Sequence, residues 1–221
     1  MKDFKKPYII LSAAMTIDGK IASKTGDPEL SDEKDWKEVH KLRTEVDAIM
    51  VGRGTIENDD PKLHIKYYKH EGYYRIVLDS HLSIPISSKV IQYKPDIYPT
   101  ILCTTENISK KKVEDYQKQG VEIIKAGKGN RVNVLKLMPK LYERGIESIL
   151  LEGGGTLNWS FVKAELIDEI RLTVAPWIIG GIKAHSLVDG NGFERMNQAL
   201  LFRLVEIAHR DNYVILKYMR R

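Results

Sequence analysis

The chain has 221 residues, 29% of them charged and 43% hydrophobic, with a formal net charge of +5. That balance excludes a disordered or low-complexity chain and fits one well-buried core. The most apolar runs, Ile9 to Met15 and Ile146 to Leu151, are strand-sized, well short of the ~18 residues a membrane span needs.

The basic N-terminus is not followed by a signal-type apolar segment, so the expected location is the cytoplasm, with no membrane partner. The single cysteine, Cys103, excludes an intrachain disulfide and a thiolate zinc cage. The signature of zinc-dependent base deaminases is also absent, and no metal is expected. The six histidines show no metal-ligand spacing and read as surface or packing residues. The mild positive charge suits a small anionic ligand rather than nucleic acid.

Strand-like and helix-like runs alternate along the chain. Tyr8 to Ala14 reads as a buried strand, Ser31 to Glu45 as a helix and Ala48 to Gly52 as a second strand. A short helical stretch, Ile56 to Asp60, stops at Pro61. Strands follow at Tyr74 to Asp79 and Thr100 to Thr104. Ser109 to Gln119 is helical up to Gly120, Val121 to Lys125 is a strand, and Asn133 to Arg144 is a helix closed by Gly145. Ser148 to Glu152 is a strand and Thr156 to Ala164 a helix. Glu169 to Ala175, Leu201 to His209 and Tyr213 to Tyr218 are strands, the last two joined across Arg210-Asp211-Asn212 as a hairpin. Continuous apolar strands separated by helices predict a mostly parallel central sheet covered on both faces, a three-layer α/β fold. The hairpin adds an antiparallel edge. No internal repeat or linker divides the chain, which predicts one domain, 1–221.

Glu152-Gly153-Gly154-Gly155-Thr156 ends a strand and opens a helix. Glycines there let a phosphate approach the backbone, and the N–H groups of the helix start attract it; Thr156 is positioned to cap. A tight strand-to-helix turn is the alternative reading. Val51-Gly52-Arg53-Gly54-Thr55 is a second, weaker turn of this kind. Two such turns suggest a dinucleotide crevice.

Plotted at about 100° per residue, Arg43 falls inside the apolar arc of Trp36, Val39, Leu42 and Val46. An inward guanidinium needs an anion, either an internal carboxylate or a ligand phosphate. Glu152 could orient a polar ring or pass protons, or be a solvated loop charge. Asp59-Asp60-Pro61 and Asp18-Gly19 read as turn chemistry. Cys103 reads as core rather than nucleophile, and Lys110 to Lys112 as a solvated face.

In order, Ala13 to Ala22, Gly26-Asp27, Arg43, Val51 to Thr55 through Asp59-Asp60-Pro61, Val77 to Ser80, Glu152 to Thr156 and Ala175 to Gly181 resemble the pyrimidine reductases of riboflavin biosynthesis. Their fold is like that of dihydrofolate reductase. In many bacteria such a reductase is fused to a zinc deaminase. With no deaminase signature in this chain, the resemblance points to the archaeal and fungal type.

That type uses NADPH to reduce the ribosylamino side chain of 2,5-diamino-6-ribosylamino-4(3H)-pyrimidinone 5′-phosphate to the ribitylamino form, and a homodimer is expected. The resemblance implies cofactor contacts at Ala14, Gly52, Thr55, Asp59, Ser80, Gly153, Gly154, Gly155, Thr156 and Leu157, and on through Ser160. It implies substrate contacts at Arg43 (phosphate), Glu152 (pyrimidine, and the best candidate acid), Leu63, Lys66 and Asp27. The Asp27 to Ser31 segment is one residue shorter than the bacterial form and lacks its tryptophan, and Ser12 stands where some bacterial members carry a lysine.

The alternatives within reductases are the deaminated 5-amino-6-ribosylaminouracil 5′-phosphate and a folate as substrate. The sequence offers no obvious carboxylate on an early helix of the kind a dihydrofolate reductase carries. A non-enzymatic RNA-binding module, suggested by the sequence pI of about 9.0, lacks an aromatic RNA motif.

Overall fold

The computed structural model describes residues 5–221, so the start of the basic N-terminus, 1–4, lies outside the described residues. In chain order the elements are β1 (Tyr8–Thr16), α1 (Glu33–Arg43), β2 (Ala48–Gly52), α2 (Arg53–Asp59), β3 (Tyr74–Leu78), α3 (Lys89–Gln92), β4 (Thr100–Thr104), α4 (Lys110–Gln117), β5 (Glu122–Lys125), α5 (Val134–Glu143), β6 (Ser148–Gly153), α6 (Gly155–Lys163), β7 (Glu169–Ala175), a 3-10 turn at Met196–Gln198, β8 (Phe202–Arg210) and β9 (Tyr213–Arg220). The strands form a mostly parallel α/β sheet with an antiparallel C-terminal hairpin.

The chain divides into two compact units, residues 1–8 with 40–150, and residues 9–39 with 151–221. In the first unit the strand order is β5-β4-β3-β2, every neighbour parallel. Ile49, Met50, Val51, Ile76, Val77, Ile101 and Leu102 are fully buried. Runs this apolar are stable only with both faces covered, which is how parallel strands occur. Helix α5 buries Val134, Leu137, Met138 and Leu141, the spacing of a one-faced helix. Ser109 and Asn133 cap α4 and α5, each side chain accepting a first-turn N–H.

In the second unit β1 pairs with β7 in parallel, from Ile10 opposite Glu169 to Thr16 opposite Ala175. β7 and β8 each pair antiparallel with β9. The hairpin turn is Asp211-Asn212, one residue tighter than expected because β8 runs on through Arg210. Asp211 takes φ +53°, a left-handed conformation that aspartate tolerates in such turns.

Four expectations need adjustment. α2 begins at Arg53, directly after β2, rather than at Ile56. β1 continues to Thr16, and α3 is an element the apolar pattern did not show. Trp36, placed at one edge of the apolar arc of α1, is 45% exposed. The buried positions of that helix are Asp35, His40, Leu42 and Arg43, whose polar groups find partners distant in sequence at Thr173, Lys66 and His64.

The ends of β3 are set by two buried charges. Arg75 is fully buried. Its guanidinium donates to the carbonyls of Lys62 (3.0 Å), Tyr93 (3.1 Å) and Tyr98 and lies 5.5 Å from the Tyr98 ring centroid. Asp79, also fully buried, accepts from the N–H groups of His81 (3.2 Å), Ile84 (2.8 Å) and Ser83 and from the Ser83 hydroxyl (3.1 Å). One carboxylate thus folds the chain back after β3. Asp79→Ala leaves those donors buried without an acceptor and should cost about 3 kcal/mol or more. Urea denaturation of the variant beside the parent checks this, and a loss below about 1 kcal/mol would contradict it.

Candidate functional site

The candidate residues of the first unit lie after the carboxyl ends of its strands, in the loop 61–73 and, for Arg43, at the end of α1. Gly52 is the N-cap of α2 and contributes no side-chain cap. Thr55 stands in the first turn and Asp59 at the last residue of that helix. Burial raises the Asp59 carboxyl above the usual range. Ser80 follows Asp79; its carbonyl accepts from the hydroxyls of Thr104 (2.9 Å) and Thr105 (3.1 Å), and its Oγ accepts from Val132 N–H (3.1 Å). Ser80 therefore joins the loops after β3, β4 and β5.

Leu63 and Lys66 share a loop that is held from several sides. Leu63 is buried with φ +43°, and its carbonyl accepts from the Tyr73 hydroxyl at 2.8 Å. Ile65 N–H donates to the Tyr98 hydroxyl (3.2 Å), which pairs with His70 Nε2 (2.6 Å). Lys66 N–H donates to His40 Nδ1 (2.8 Å), and Arg43 Nη1 donates to the His64 carbonyl (2.9 Å). Arg43 is 6% exposed, so the inward guanidinium expected from helical spacing is present.

This corner is cationic. Burial lowers the His40 imidazole to about 4, helped by the charges of Arg43, His64 and Lys66. Burial also lowers His64, with Lys62, Arg43, Lys94 and Lys66 contributing. Sequence reasoning took both histidines for surface or packing residues. The signal was available, since His40 precedes Arg43 by one helical turn and His64 lies between Leu63 and Lys66.

In the second unit, Glu152 is half-buried at the end of β6 and precedes the glycines. Gly153 has φ +90°, a region that favours glycine, and its peptide to Gly154 is cis. A Cβ on Gly155 would stand 2.3 Å from Asp189 Oδ2 and 2.5 Å from the Ser186 carbonyl, whereas one on Gly154 would meet nothing within 4 Å. The three glycines thus do different work: Gly153 makes the turn, Gly155 packs, and Gly154 faces open space. Thr156 does not cap α6. The N-cap is Gly154, with no side-chain bond to the first turn, and Thr156 is an exposed second residue of the helix. Glycine takes the extended N-cap conformation without strain and displaces the threonine by two positions. Leu157 is buried. Ala14 lies on β1 opposite Thr173. Asp27 is exposed in a turn, its carboxylate accepting from Glu29 N–H at 3.1 Å.

Two further carboxylates emerge in this unit. Asp18, read from sequence as turn chemistry, also receives Ile179 N–H (3.2 Å), Gly180 N–H (2.7 Å) and the Thr16 hydroxyl (2.6 Å). The Thr16 hydroxyl does most to hold its carboxyl below the usual range. Asp35, in the first turn of α1, is 2% exposed and accepts the Thr173 hydroxyl at 2.6 Å. The sequence reading did not single out Asp35, which stands beside the charged run Asp32, Glu33 and Lys34. Cys103 is fully buried on β4, and burial pushes its thiol up; a core role fits this. Among the described residues no His, Cys, Asp and Glu group is placed to hold a metal ion, and no helix is long and apolar enough to cross a membrane.

The profile of the RibD C-terminal domain matches residues 7–216. A protein of Methanothermobacter thermautotrophicus named 2,5-diamino-6-ribosylamino-4(3H)-pyrimidinone 5′-phosphate reductase is 41% identical over 202 residues, covering 90% of this chain and 91% of its own. One of the same name from Aquifex aeolicus is 38% identical, covering 90% of each chain. Among solved structures, Acinetobacter baumannii RibD superimposes with a TM-score of 0.81 at 23% identity; the match covers 98% of this chain but 58% of that one. The Saccharomyces cerevisiae riboflavin biosynthesis reductase Rib7 gives 0.75 at 19% identity, over 100% and 93%.

The buried imidazole of His40 has a consequence for stability. Its pKa is about 4 in the folded chain against 6.5 as the unperturbed value, so between those limits the unfolded chain binds more protons. Stability should therefore be complete above about pH 6.5 and decline as pH falls toward 4. His64 and His70, also lowered by burial, act in the same direction. His40→Asn, which keeps an acceptor for Lys66 N–H but does not titrate, should flatten the slope of unfolding free energy between pH 4 and 6.5 by up to about one proton's worth. An unchanged slope in urea titrations would refute this.

Proposed function

The chain belongs to the RibD C-terminal domain family, and from this premise we propose that it reduces the ribosylamino side chain of 2,5-diamino-6-ribosylamino-4(3H)-pyrimidinone 5′-phosphate to the ribitylamino form, with NADPH as donor. What carries this reading is the 38–41% identity, over nine-tenths of each chain, to two reductases named for that substrate. The residues fit the ligands chemically. The open side of Gly154 and the first turn of α6, free of a side-chain cap, suit a pyrophosphate. The cationic corner around Arg43, where burial and then neighbouring positive charges depress two imidazoles, suits the substrate's 5′-phosphate.

On this reading Gly52, Thr55, Asp59, Ser80, Ala14 and Gly153 to Ser160 contact the cofactor. Arg43, Leu63, Lys66, Asp27 and Glu152 contact the substrate, in a single reductase domain. NADPH, when bound, supplies hydride. The ribosylamine opens to an imine at the anomeric carbon, that carbon is reduced, and the nitrogen takes up a proton. Arg43 clamps the remote phosphate, so binding energy holds the opened chain in register with the donor. Glu152 orients the ring and is placed to pass a proton.

The homodimer expected of this family has support in β8, the outermost strand. It exposes Leu204, Val205 and Ile207 on an edge that natural proteins rarely leave bare. The enzyme is assigned to the cytoplasm.

Purified protein mixed with NADPH and the diamino substrate should lose reduced-nicotinamide absorbance in step with appearance of the ribityl product by mass; no turnover would overturn the reading. Arg43→Ala should lower kcat/KM by ten- to a hundredfold, about 1.4–3 kcal/mol, while NADPH affinity holds. Equal losses for both ligands would make Arg43 structural instead. Gly154→Val should fold, since φ there is −76° and the space is open, yet weaken NADPH binding at least about tenfold. An unaltered NADPH titration would remove the triple-glycine turn from the cofactor site.

A further inference from the structure

Three consecutive residues of the loop 61–73 are each held by a different side chain of the first unit. Arg43 Nη1 donates to the His64 carbonyl (2.9 Å), the Tyr98 hydroxyl accepts Ile65 N–H (3.2 Å), and His40 Nδ1 accepts Lys66 N–H (2.8 Å). Leu63 and Ile65 are buried, whereas Lys66 is exposed. His40 and Arg43 stand three positions apart on α1, on one side of the helix, so the end of α1 receives the loop at two points.

His40 reaches Lys66 twice. Besides accepting the backbone N–H, its ring meets the Tyr67 ring edge-on, with centroids 5.0 Å apart and planes at 74°. Lys66 Nζ lies 5.3 Å from the centroid of that same Tyr67 ring, within cation–π range. One imidazole thus anchors the backbone of Lys66 directly and braces the ring that its ammonium stands over.

An imidazole that accepts at Nδ1 carries its proton on Nε2, and a proton added to Nδ1 would set a donor against the Lys66 N–H. The surroundings keep the ring neutral: burial first, then the charges of Arg43, His64 and Lys66, hold it at about 4. Above that pH it remains an acceptor. An apolar side chain would fill the same space more cheaply, but would leave the Lys66 N–H without this partner.

We propose that His40 is a positioning residue for the substrate's phosphate, fixing Lys66 through its backbone N–H and through the Tyr67 ring so that the ammonium meets the phosphate already ordered. The proposal rests on the reading above, which gives Lys66 to the substrate. Ordering a flexible lysine during binding costs affinity, and a lysine ordered beforehand has met that cost in folding. His40 itself transfers no proton in this role, and its effect passes through Lys66.

The test is steady-state kinetics on the ribosylamino phosphate of the diaminopyrimidinone. His40→Leu, which removes the acceptor, should raise KM for that substrate about fivefold or more, with kcat within about twofold and KM for NADPH held. His40→Asn, whose Oδ1 falls near the place of Nδ1, should recover most of the loss. His40→Gln, whose oxygen falls near the place of Nε2, should not, and it serves as the loss variant if His40→Leu does not fold. In a Lys66→Met background, where the ammonium is gone, the same change at His40 should raise KM by less than about a further twofold. Losses that multiply in the double variant, a KM unmoved in the folded His40 variants, or an equal rise in KM for NADPH make the imidazole purely structural. Any of these overturns the proposal while the reductase reading stands. If Lys66→Met leaves KM unmoved, the assignment of Lys66 falls and the proposal with it; a parent that does not reduce the compound overturns the reductase reading and the proposal together.

Discussion

A guanidinium taken wholly out of water costs several kcal/mol unless hydrogen bonds replace its hydration. Arg75 meets most of that demand with backbone carbonyls from Lys62, Tyr93 and Tyr98, its Nε alone lacking a partner among the described residues. Those carbonyls belong to two loops distant in sequence from each other. The buried cation therefore fixes where the loop 61–73 begins, and with it the placement of Leu63, His64 and Lys66. Asp79 imposes the same constraint with opposite charge, drawing His81, Ser83 and Ile84 around one carboxylate. These interactions buried at the strand ends act mainly through specificity, because alternative loop conformations would strand a buried charge.

Other polar groups stand apart from that scaffold. Gly154 offers no side-chain cap to α6. Asp35 Oδ2 has no hydrogen-bond partner among the described residues. Burial, with the cations around them, pushes the imidazoles of His40 and His64 toward neutrality. Asp79 and the Tyr116 hydroxyl, bonded to Leu82 and Ile84 carbonyls, are by contrast satisfied within the chain.

Much of this could be read from the sequence. The alternation of apolar runs and amphipathic stretches gave the parallel strands and most helices, since covering both faces of a strand demands an unbroken apolar run. Helical spacing placed Arg43 inward, and the glycines after β6 marked a backbone that something approaches. The failures have a common cause. Trp36 was placed in the apolar arc of α1 by its hydrophobicity, while Asp35 was not singled out; its burial is met by the Thr173 hydroxyl, well over a hundred residues away. Thr156 was taken as a cap because threonine caps helices well, while the extended conformation of Gly154 moved the helix start.

The sequence alone determined the elements, their alternation and the residue types available for a phosphate-binding reductase, because period and composition are local properties of the chain. Only tertiary structure decided which polar groups are spent and which remain. Gly155 is consumed by packing against Asp189 and Ser186 while Gly154 stays open. Asp18 holds the backbone of Ile179 and Gly180, and one oxygen of Asp35 finds no donor among the described residues. Whether a hydrogen-bonding group is satisfied depends on partners brought from elsewhere in the chain, and no local pattern carries that information.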